Sequence, residues 1–331
     1  MSQDFSPELD HLDLQIIKEM EVDGRQSISE LARKLEVGRP VAARKLQRLL
    51  DEHIIRVVAL AAPAALGYQT QVLTGINVQP GEVNDVAERL EALNSIHLVV
   101  TIAGRQDIFI WALFRDPSEL SSFLSAELAK TPGMASTETL IVLDMKKISF
   151  AYLASDDDFY QKLSLETSGQ ASYPVLDQLD MDIIKELEAD GRLAVSDISA
   201  KLGYSRPTIH AKLQRLLEHR CIKVVALARP RSMGFQTMAL VGINVRPIEI
   251  DIISKRLATY PNVHMVATTA GRFDIMIMTL FHNSTELSEF LRAELGGILN
   301  VTSAETMVMM DVKKLSLSFF STDHRNLAIT N

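Results

Sequence analysis

Residues Leu12 through Phe150 reappear without a gap as Leu179 through Leu317, every position displaced by 167 and roughly half of them identical. A repeat of that length is too long for one turn of a solenoid, so the chain reads as two tandem copies of one set of domains. Because the second copy samples the same fold independently, Gly and Pro positions shared by both report backbone requirements of this chain. The 331 residues are ample for such a plan, and an apolar fraction of 47% with a net charge of −8 is globular rather than disordered.

Each copy opens on helical periodicity. Leu12, Ile16, Ile17 and Met20 share one face, as do Leu179, Ile183, Ile184 and Leu187. Both helices stop at Asp-Gly-Arg, where Gly24 and Gly191 suit a C-terminal cap with positive φ. A short second helix follows, capped by Ser27 with Glu30; Ala194 replaces that serine in the copy, which must use Ser196 or go uncapped. After a three-residue turn comes the third helix, with Pro40 and Pro207 in its first turn. Its inner face is Ala42, Leu46 and Leu49, or Ile209, Leu213 and Leu216. Its outer face carries Ala43, Arg44 and Gln47, or His210, Ala211 and Gln214.

Three short helices of this kind form a DNA-reading helix-turn-helix, although an amphipathic surface helix with a charged outer face would show the same pattern. A pI near 5.5 excludes a uniformly basic coat, so contact with DNA must come from local patches. The triplets supply them. Arg33, Lys34, Arg39, Arg44, Lys45, Arg48 and Arg56 outnumber nearby acids in the first copy, and Lys201, Arg206, Lys212, Arg215, Arg220 and Lys223 do so in the second.

Beyond the triplet, residues 54–60 and 221–227 are β-branched runs leading into a hinge marked by Pro63 and Gly67, matched by Pro230 and Gly234. The next unit reads strand 70–78, helix 82–93, strand 97–103, strand 107–114, helix 117–129 and strand 137–145. Order βαββαβ predicts a ferredoxin-like sheet with helices on one face. Its other face stays apolar and should pack against a second sheet. The fold class is therefore α+β, with domains expected at 1–60, 61–153, 177–227 and 228–320, a linker at 154–176 and a tail at 321–331. A short helix is expected at 159–165 and a loose lead-in at 5–10.

Together these features resemble the Lrp/AsnC (feast/famine) family of bacterial and archaeal transcription regulators, present in tandem. The resemblance rests on Leu12-Asp13, Ile16-Ile17, Asp23-Gly24-Arg25, Leu31-Ala32, Arg39-Pro40, Lys45-Leu46-Gln47-Arg48-Leu49, Pro63 with Gly67, Gly104-Arg105-Gln106-Asp107 and the 139–146 strand, each with a counterpart 167 residues on. It implies double-stranded DNA as partner, contacted by Arg39, Ala43, Arg44, Lys45, Gln47 and Arg48 on one imperfect half-site, and by Arg206, Thr208, His210, Lys212, Gln214 and Arg215 on the other. It also implies an amino acid or related effector beside Gly104, Arg105 and Asp107, and beside Gly271, Arg272 and Asp274. The aspartate would take the ammonium and arginine or main-chain donors the carboxylate. A hairpin connection needing Gly and a capping Asp would explain the same residues. The two halves should form an intramolecular pseudo-dimer that assembles further.

There are departures from the family pattern. Gly38 stands where a capping serine is usual, which Ser205 keeps, and His53 and Arg220-Cys221 replace the glycine usual after the third helix. Lys45 and Lys212 stand where arginine is usual.

No catalytic set, cofactor motif or metal-ligand spacing emerges. A related branch, the siroheme decarboxylases, carries His-Asn-Tyr and an arginine in a region where this chain has His97-Leu98-Val99 and His264-Met265-Val266. That enzyme, and a metabolite-binding protein no longer touching DNA, are the competing classes; the histidines read first as structural. Lys146-Lys147 and Lys313-Lys314 read as solvated strand ends. One cysteine, no signal-like start and no apolar run long enough for a bilayer point to a cytoplasmic protein without membrane contact.

Overall fold

The computed structural model describes residues 9–153 and 173–320; the expected helix at 159–165 and the tail at 321–331 lie outside them. The first triplet is α1 (His11–Val22), α2 (Ile28–Lys34) and α3 (Arg39–Asp51), and strand β1 (Ile55–Ala61) leaves it. Then come β2 (Thr70–Val78), α4 (Val83–Glu91), β3 (Ile96–Ala103), β4 (Ile108–Phe114), α5 (Pro117–Ser122, continued by a π turn to Leu128) and β5 (Met134–Ile148). The second copy repeats the order: α6 (Gln178–Ala189), α7 (Val195–Leu202), α8 (Arg206–Glu218), β6 (Ile222–Ala228), β7 (Thr237–Val245), α9 (Ile250–Ala258), β8 (Val263–Ala270), β9 (Ile275–Phe281), α10 (Ser284–Glu289, again with a π turn) and β10 (Val301–Leu315).

The caps explain the boundaries. Asp10 and Asp13 form a reciprocal capping box on α1, repeated by Asp177 and Asp180 on α6. Ser27 accepts from Glu30 N–H, whereas Ala194 leaves α7 without a side-chain cap. Gly38 likewise leaves α3 uncapped, while Ser205 accepts from Thr208 N–H at the start of α8. At the far ends, His53 and Arg220 adopt φ of 53° and 54°, the left-handed turn that glycine would take without strain.

Gly24 and Gly191 are glycines for another reason than the cap expected of them, since neither has positive φ. Each is wedged between its own copy's strand and the opposite copy's main chain, too closely for a side chain: a Cβ on Gly24 would stand 2.7 Å from Val57 Cγ1 of its own copy and 3.0 Å from the main-chain carbon of Val225 of the other. A Cβ on Gly191 would stand 2.7 Å from Val224 Cγ1 and 2.9 Å from the main chain of Val58. They sit against a two-stranded antiparallel sheet formed by β1 and β6, from Ile55 opposite Ala228 to Ala61 opposite Ile222. Gly24 N–H donates to Val224 O and Gly191 N–H to Val57 O. The two triplets thus share one core, which includes Ile16, Ile17, Leu49, Ile55, Ile184, Leu216 and Ile222.

The eight remaining strands close into a barrel in the order β10-β3-β4-β2-β5-β8-β9-β7. The apolar faces of the two sheets meet in one core, as the sequence suggested, and the sheets also join edge to edge. The cause is the length of β5 and β10, 15 residues each, several more than the 137–145 stretch suggested. The first part of β5 pairs with β2 and its later part runs on, through bulges, to pair with β8. In the same way β10 pairs with β7 and then with β3. Closure leaves no exposed sheet edge and buries Leu73, Val100, Phe109, Trp111, Leu140, Leu240 and Met276 inside. Val72, Ile76, Val99, Ile108, Ile110 and Ala112 face the helix layer.

The lysines ending β5 and β10 also bind the halves together. Lys147 Nζ donates to Tyr260 O at 3.0 Å, and the buried Lys314 Nζ to Glu91 O and Leu93 O at 2.8 Å each. Both reach carbonyls at the end of the opposite half's helix, which satisfies groups a helix cannot satisfy itself. Burial holds the Lys314 ammonium down at about 8. Lys147 and Lys314 are therefore cross-half helix caps, not the solvated ends expected.

Candidate functional site

Helices α3 and α8 present unequal outward faces on a common base. Arg39, Arg44 and Gln47 are exposed on α3 beside the half-buried Ala43, and Arg206, Thr208, His210, Ala211 and Gln214 are exposed on α8. Their mutual placement is held by reciprocal arginines. Arg25 donates to Gly191 O at 2.7 Å and Leu193 O at 3.2 Å, and Arg192 donates to Gly24 O at 2.8 Å and Gln26 O at 3.4 Å. Desolvation, then the neighbouring Arg192, lowers the Arg25 pKa from its ordinary value.

Four bases that the sequence assigned to DNA have other partners. Lys45 Nζ lies 2.5 Å from Asp10 and 3.1 Å from Asp13, and Arg48 Nη2 lies 2.6 Å from Asp13, whose side chain is buried. In the second copy Lys212 holds Asp177 and Asp180, while Arg215 lies 3.6 Å from Asp180 and donates to Val175 O. Spacing alone puts these bases near the outer face. What turns them toward α1 and α6 is a buried carboxylate that must be neutralised. The Lys45 and Lys212 bonds hold Asp10 and Asp177 down at about 2.

The Gly-x-x-Asp turns link β3 to β4 and β8 to β9. Asp107 Oδ2 accepts from Val78 N–H at 2.9 Å and Asp274 Oδ2 from Val245 N–H at 2.9 Å. These bonds fix the ends of β2 and β7 through one oxygen of each carboxylate, a structural task beside the ammonium-binding role expected of the two aspartates. Gly271 has φ of 146°, and a Cβ there would stand 2.6 Å from Leu140 of the opposite half; a Cβ on Gly104 would meet Met307 at 3.3 Å. The turns therefore abut the opposite half's long strand.

Between them runs one chain of polar contacts that the sequence did not suggest. Gln106 Nε2 donates to Glu138 Oε2 at 3.0 Å, Arg272 Nη1 lies 3.5 Å from the same oxygen, and Arg272 Nη2 donates to Glu305 Oε2. The guanidinium also lies over the Phe273 ring, 5.0 Å from its centre. Arg105, its counterpart, is exposed.

A second feature is a strap after each long strand. Residues 149–153 leave β5 and 316–320 leave β10. Tyr152 and Leu153 donate their N–H groups to the buried Glu21, and Phe319, Phe320 and Ser318 Oγ donate to the buried Glu188. The aromatic residue of each strap packs on the opposite half: Phe319 lies 4.8 Å from the His97 ring, and Tyr152 lies 5.3 Å from that of His264. What remains beside His97 is a cavity of about 40 Å³, and beside His264 one of about 20 Å³. Burial first, with Lys147 adding repulsion, lowers the His264 ring to about 4. Matched acids on the apolar side of two matched helices were the only sequence signal of the straps.

Burial raises Glu188 to about 6, against the lowering effect of its three hydrogen bonds. A carboxyl whose pKa rises on folding favours the fold while protonated and loses that contribution as pH rises from about 4.5 to 6. The shift corresponds to about 2 kcal/mol. His264 titrates in the opposite sense, adding stability as pH rises from about 4 toward 6.5. Chemical denaturation of the parent and of Glu188→Gln isolates the first effect. Relative to the variant, the parent is expected to lose about 2 kcal/mol between pH 4.5 and 6.5; parallel curves would contradict the assignment.

Comparison with known proteins agrees with the architecture. Residues 9–50 and 176–217 match the AsnC-type helix-turn-helix domain, and 71–152 and 238–318 the Lrp/AsnC ligand binding domain. An uncharacterized HTH-type transcriptional regulator of Pyrococcus furiosus is 36% identical over 144 residues, 43% of this chain and 97% of the relative. The HTH-type transcriptional regulator FL11 of the same organism is 32% identical over 141 residues, 42% of this chain and 93% of its own. Each such relative has the length of one half. Among solved structures, the siroheme decarboxylase NirDL superposes with a TM-score of 0.67 over 96% of both chains at 14% identity, a likeness of fold.

Proposed function

The chain belongs to the Lrp/AsnC family in both of its halves, and from that premise we propose that it regulates transcription by gripping an imperfect palindrome with α3 and α8, under control of an amino acid or close analogue. The observation that carries this reading is the β1–β6 pairing, which fixes two unlike recognition helices on one base within a single chain. A homodimer offers identical residues to both half-sites. Here Ala43-Arg44 meets one and His210-Ala211 the other, so different base edges are read. Arg39 and Arg206 supply phosphate contacts, Arg44 reads a base edge, and Lys45, Arg48, Lys212 and Arg215 hold the helices in place. The effector binds at the barrel end near Gly104, Arg105 and Asp107 and near Gly271, Arg272 and Asp274, and regulates because it favours one arrangement of the reading helices.

Exposed apolar residues on the long strands, Ile141, Leu143 and Met310, support association of this pseudo-dimer with further copies. No helix among the described residues is long and apolar enough to cross a membrane, which suits a cytoplasmic regulator. The enzyme reading has the NirDL-like fold in its favour and the chambers against it. Cavities of about 40 and 20 Å³ beside His97 and His264, filled from one side by Phe319 and Tyr152, are far below what a tetrapyrrole requires, and the open cleft of about 580 Å³ bordered by Tyr152, Phe235, His282 and Glu286 is lined by neither of those histidines. Selection of genomic fragments by the purified chain tests the proposal. Recovered sequences are expected to share an inverted repeat with unequal halves; fragments without any shared motif would overturn it.

A further inference from the structure

The barrel interior is lopsided in sulfur. Met238, Met265, Met278 and Met309 lie one each on β7, β8, β9 and β10, and their counterparts 167 residues earlier are Gln71, Leu98, Trp111 and Val142. Strand register brings the four together. Met309 stands directly opposite Met238 on the paired strands β10 and β7, and Met278 opposite Met265 on β9 and β8. Met238 faces Leu280 across the β7–β9 pair, which makes Met278 its diagonal neighbour. All four pack in or against the barrel core. Thioethers fill irregular space well, so packing alone accounts for methionine at such positions. It does not account for the group beside them. Met238, Met278 and Met309 line one cavity of about 20 Å³ together with His264. That imidazole is only 3% exposed, and its Nδ1 is buried without a hydrogen-bond partner, a costly state for a polar atom. In the first half the matching Nδ1 of His97 meets Ser316 O at 3.0 Å. The half that gathers sulfur is thus the half whose imidazole is left unspent.

A space of about 20 Å³ holds one small atom or ion and no organic ligand. Three thioethers and an imidazole are neutral donors, and thioether sulfur is soft, which favours copper(I) over the harder ions. No carboxylate or thiolate lies among the described residues lining the cavity, so a divalent ion would bring its charge into an apolar interior with nothing to neutralise it. We propose that the chain binds one copper(I) ion in the second half of the barrel, on the sulfurs of Met238, Met278 and Met309 and the imidazole of His264. Binding exchanges no proton or electron, since all four donors are neutral and the ion keeps its single charge. Tyr152 and Leu280 line both this cavity and the open cleft of about 580 Å³, so the strap's aromatic ring stands between the ion's seat and solvent. The site lies apart from the Gly-x-x-Asp turns and does not depend on the effector reading.

The test uses the full chain carrying Cys221→Ala, which removes the only thiol in the sequence. Copper(I) is delivered without oxygen as its acetonitrile complex, and affinity is read by competition with the chelator bicinchoninate. One ion per chain is expected, with sulfur and a single imidazole nitrogen as its neighbours in X-ray absorption. Silver(I) should compete for the seat and zinc(II) should not. Met238→Leu with Met309→Leu, and His264→Leu alone, should each weaken binding by about 10-fold or more, at least what losing a mere supporting partner costs a metal site. Leucine replaces methionine at nearly equal volume, so the copper-free double variant should melt near its parent. Met307→Leu changes a buried methionine that does not line the cavity and should leave binding unchanged. Should the double variant unfold, Met278→Leu takes its place. No binding of copper(I), binding untouched in the methionine or histidine variants, or an equal loss in Met307→Leu overturns the inference.

Discussion

Raising salt from about 50 to 200 mM is expected to weaken operator binding about 10-fold, the loss that attends the two phosphate contacts of Arg39 and Arg206. The arginines divide sharply in what they contribute to it. Arg39→Ala and Arg206→Ala each remove a base from an exposed helix end, so each should reduce the salt slope by about one and leave thermal stability alone. Arg48→Ala should do the reverse. It strips the buried Asp13 of a partner at 2.6 Å while Lys45 still holds it, and should cost about 1–2 kcal/mol of stability with little change in slope. Measuring affinity at several salt concentrations beside melting curves separates the two groups. An Arg48 variant that melts like the parent but loses salt slope would return that arginine to the DNA.

The second large effect lies at the seam between the triplets. Gly24→Ala places a methyl group against Val57 and the main chain of Val225, and Gly191→Ala places one against Val224 and the main chain of Val58. Side chains can turn away, but strands paired through seven residues cannot. Each substitution is expected to cost about 1–3 kcal/mol. The pair should also lower operator affinity far more than its effect on the barrel explains, because the register of the two reading helices is lost. Unfolding by denaturant gives the first quantity and operator titration the second; a double variant with both parental values would show that the seam tolerates a side chain.

Much of this was legible from residue order. Helix ends at Asp116-Pro117, Asn283 and Ser205, the βαββαβ order and the duplication all follow from local patterns that neighbouring residues determine. What escaped depends on partners distant in sequence. Gly24 reads as a cap until β6 lies against it. Lys314 reads as a solvated strand end until α4 of the other half presents Glu91 O and Leu93 O. Asp107 gives no sign in the sequence that the N–H of Val78 bonds to it. Nothing in the spacing shows that β5 is long enough to serve both sheets, so barrel closure was hidden, and with it the Gln106, Glu138, Arg272 and Glu305 cluster. Glu21 and Glu188 signalled only that something polar must meet them, for an acid on a helix's apolar side gives no sign of which main chain that will be.

The central claim is that one chain carries two reading heads of different specificity on a rigid base. An operator recovered by selection tests it directly, compared with two perfect palindromes built from each of its half-sites. His210-Ala211 is replaced by Ala-Arg, so that both helices present the outward residues of the first. The account predicts that the parent prefers the unequal operator and that the variant prefers one of the two perfect palindromes, by about 1–3 kcal/mol for each base contact that changes. A protein whose choice among the three operators ignores the replacement would contradict it.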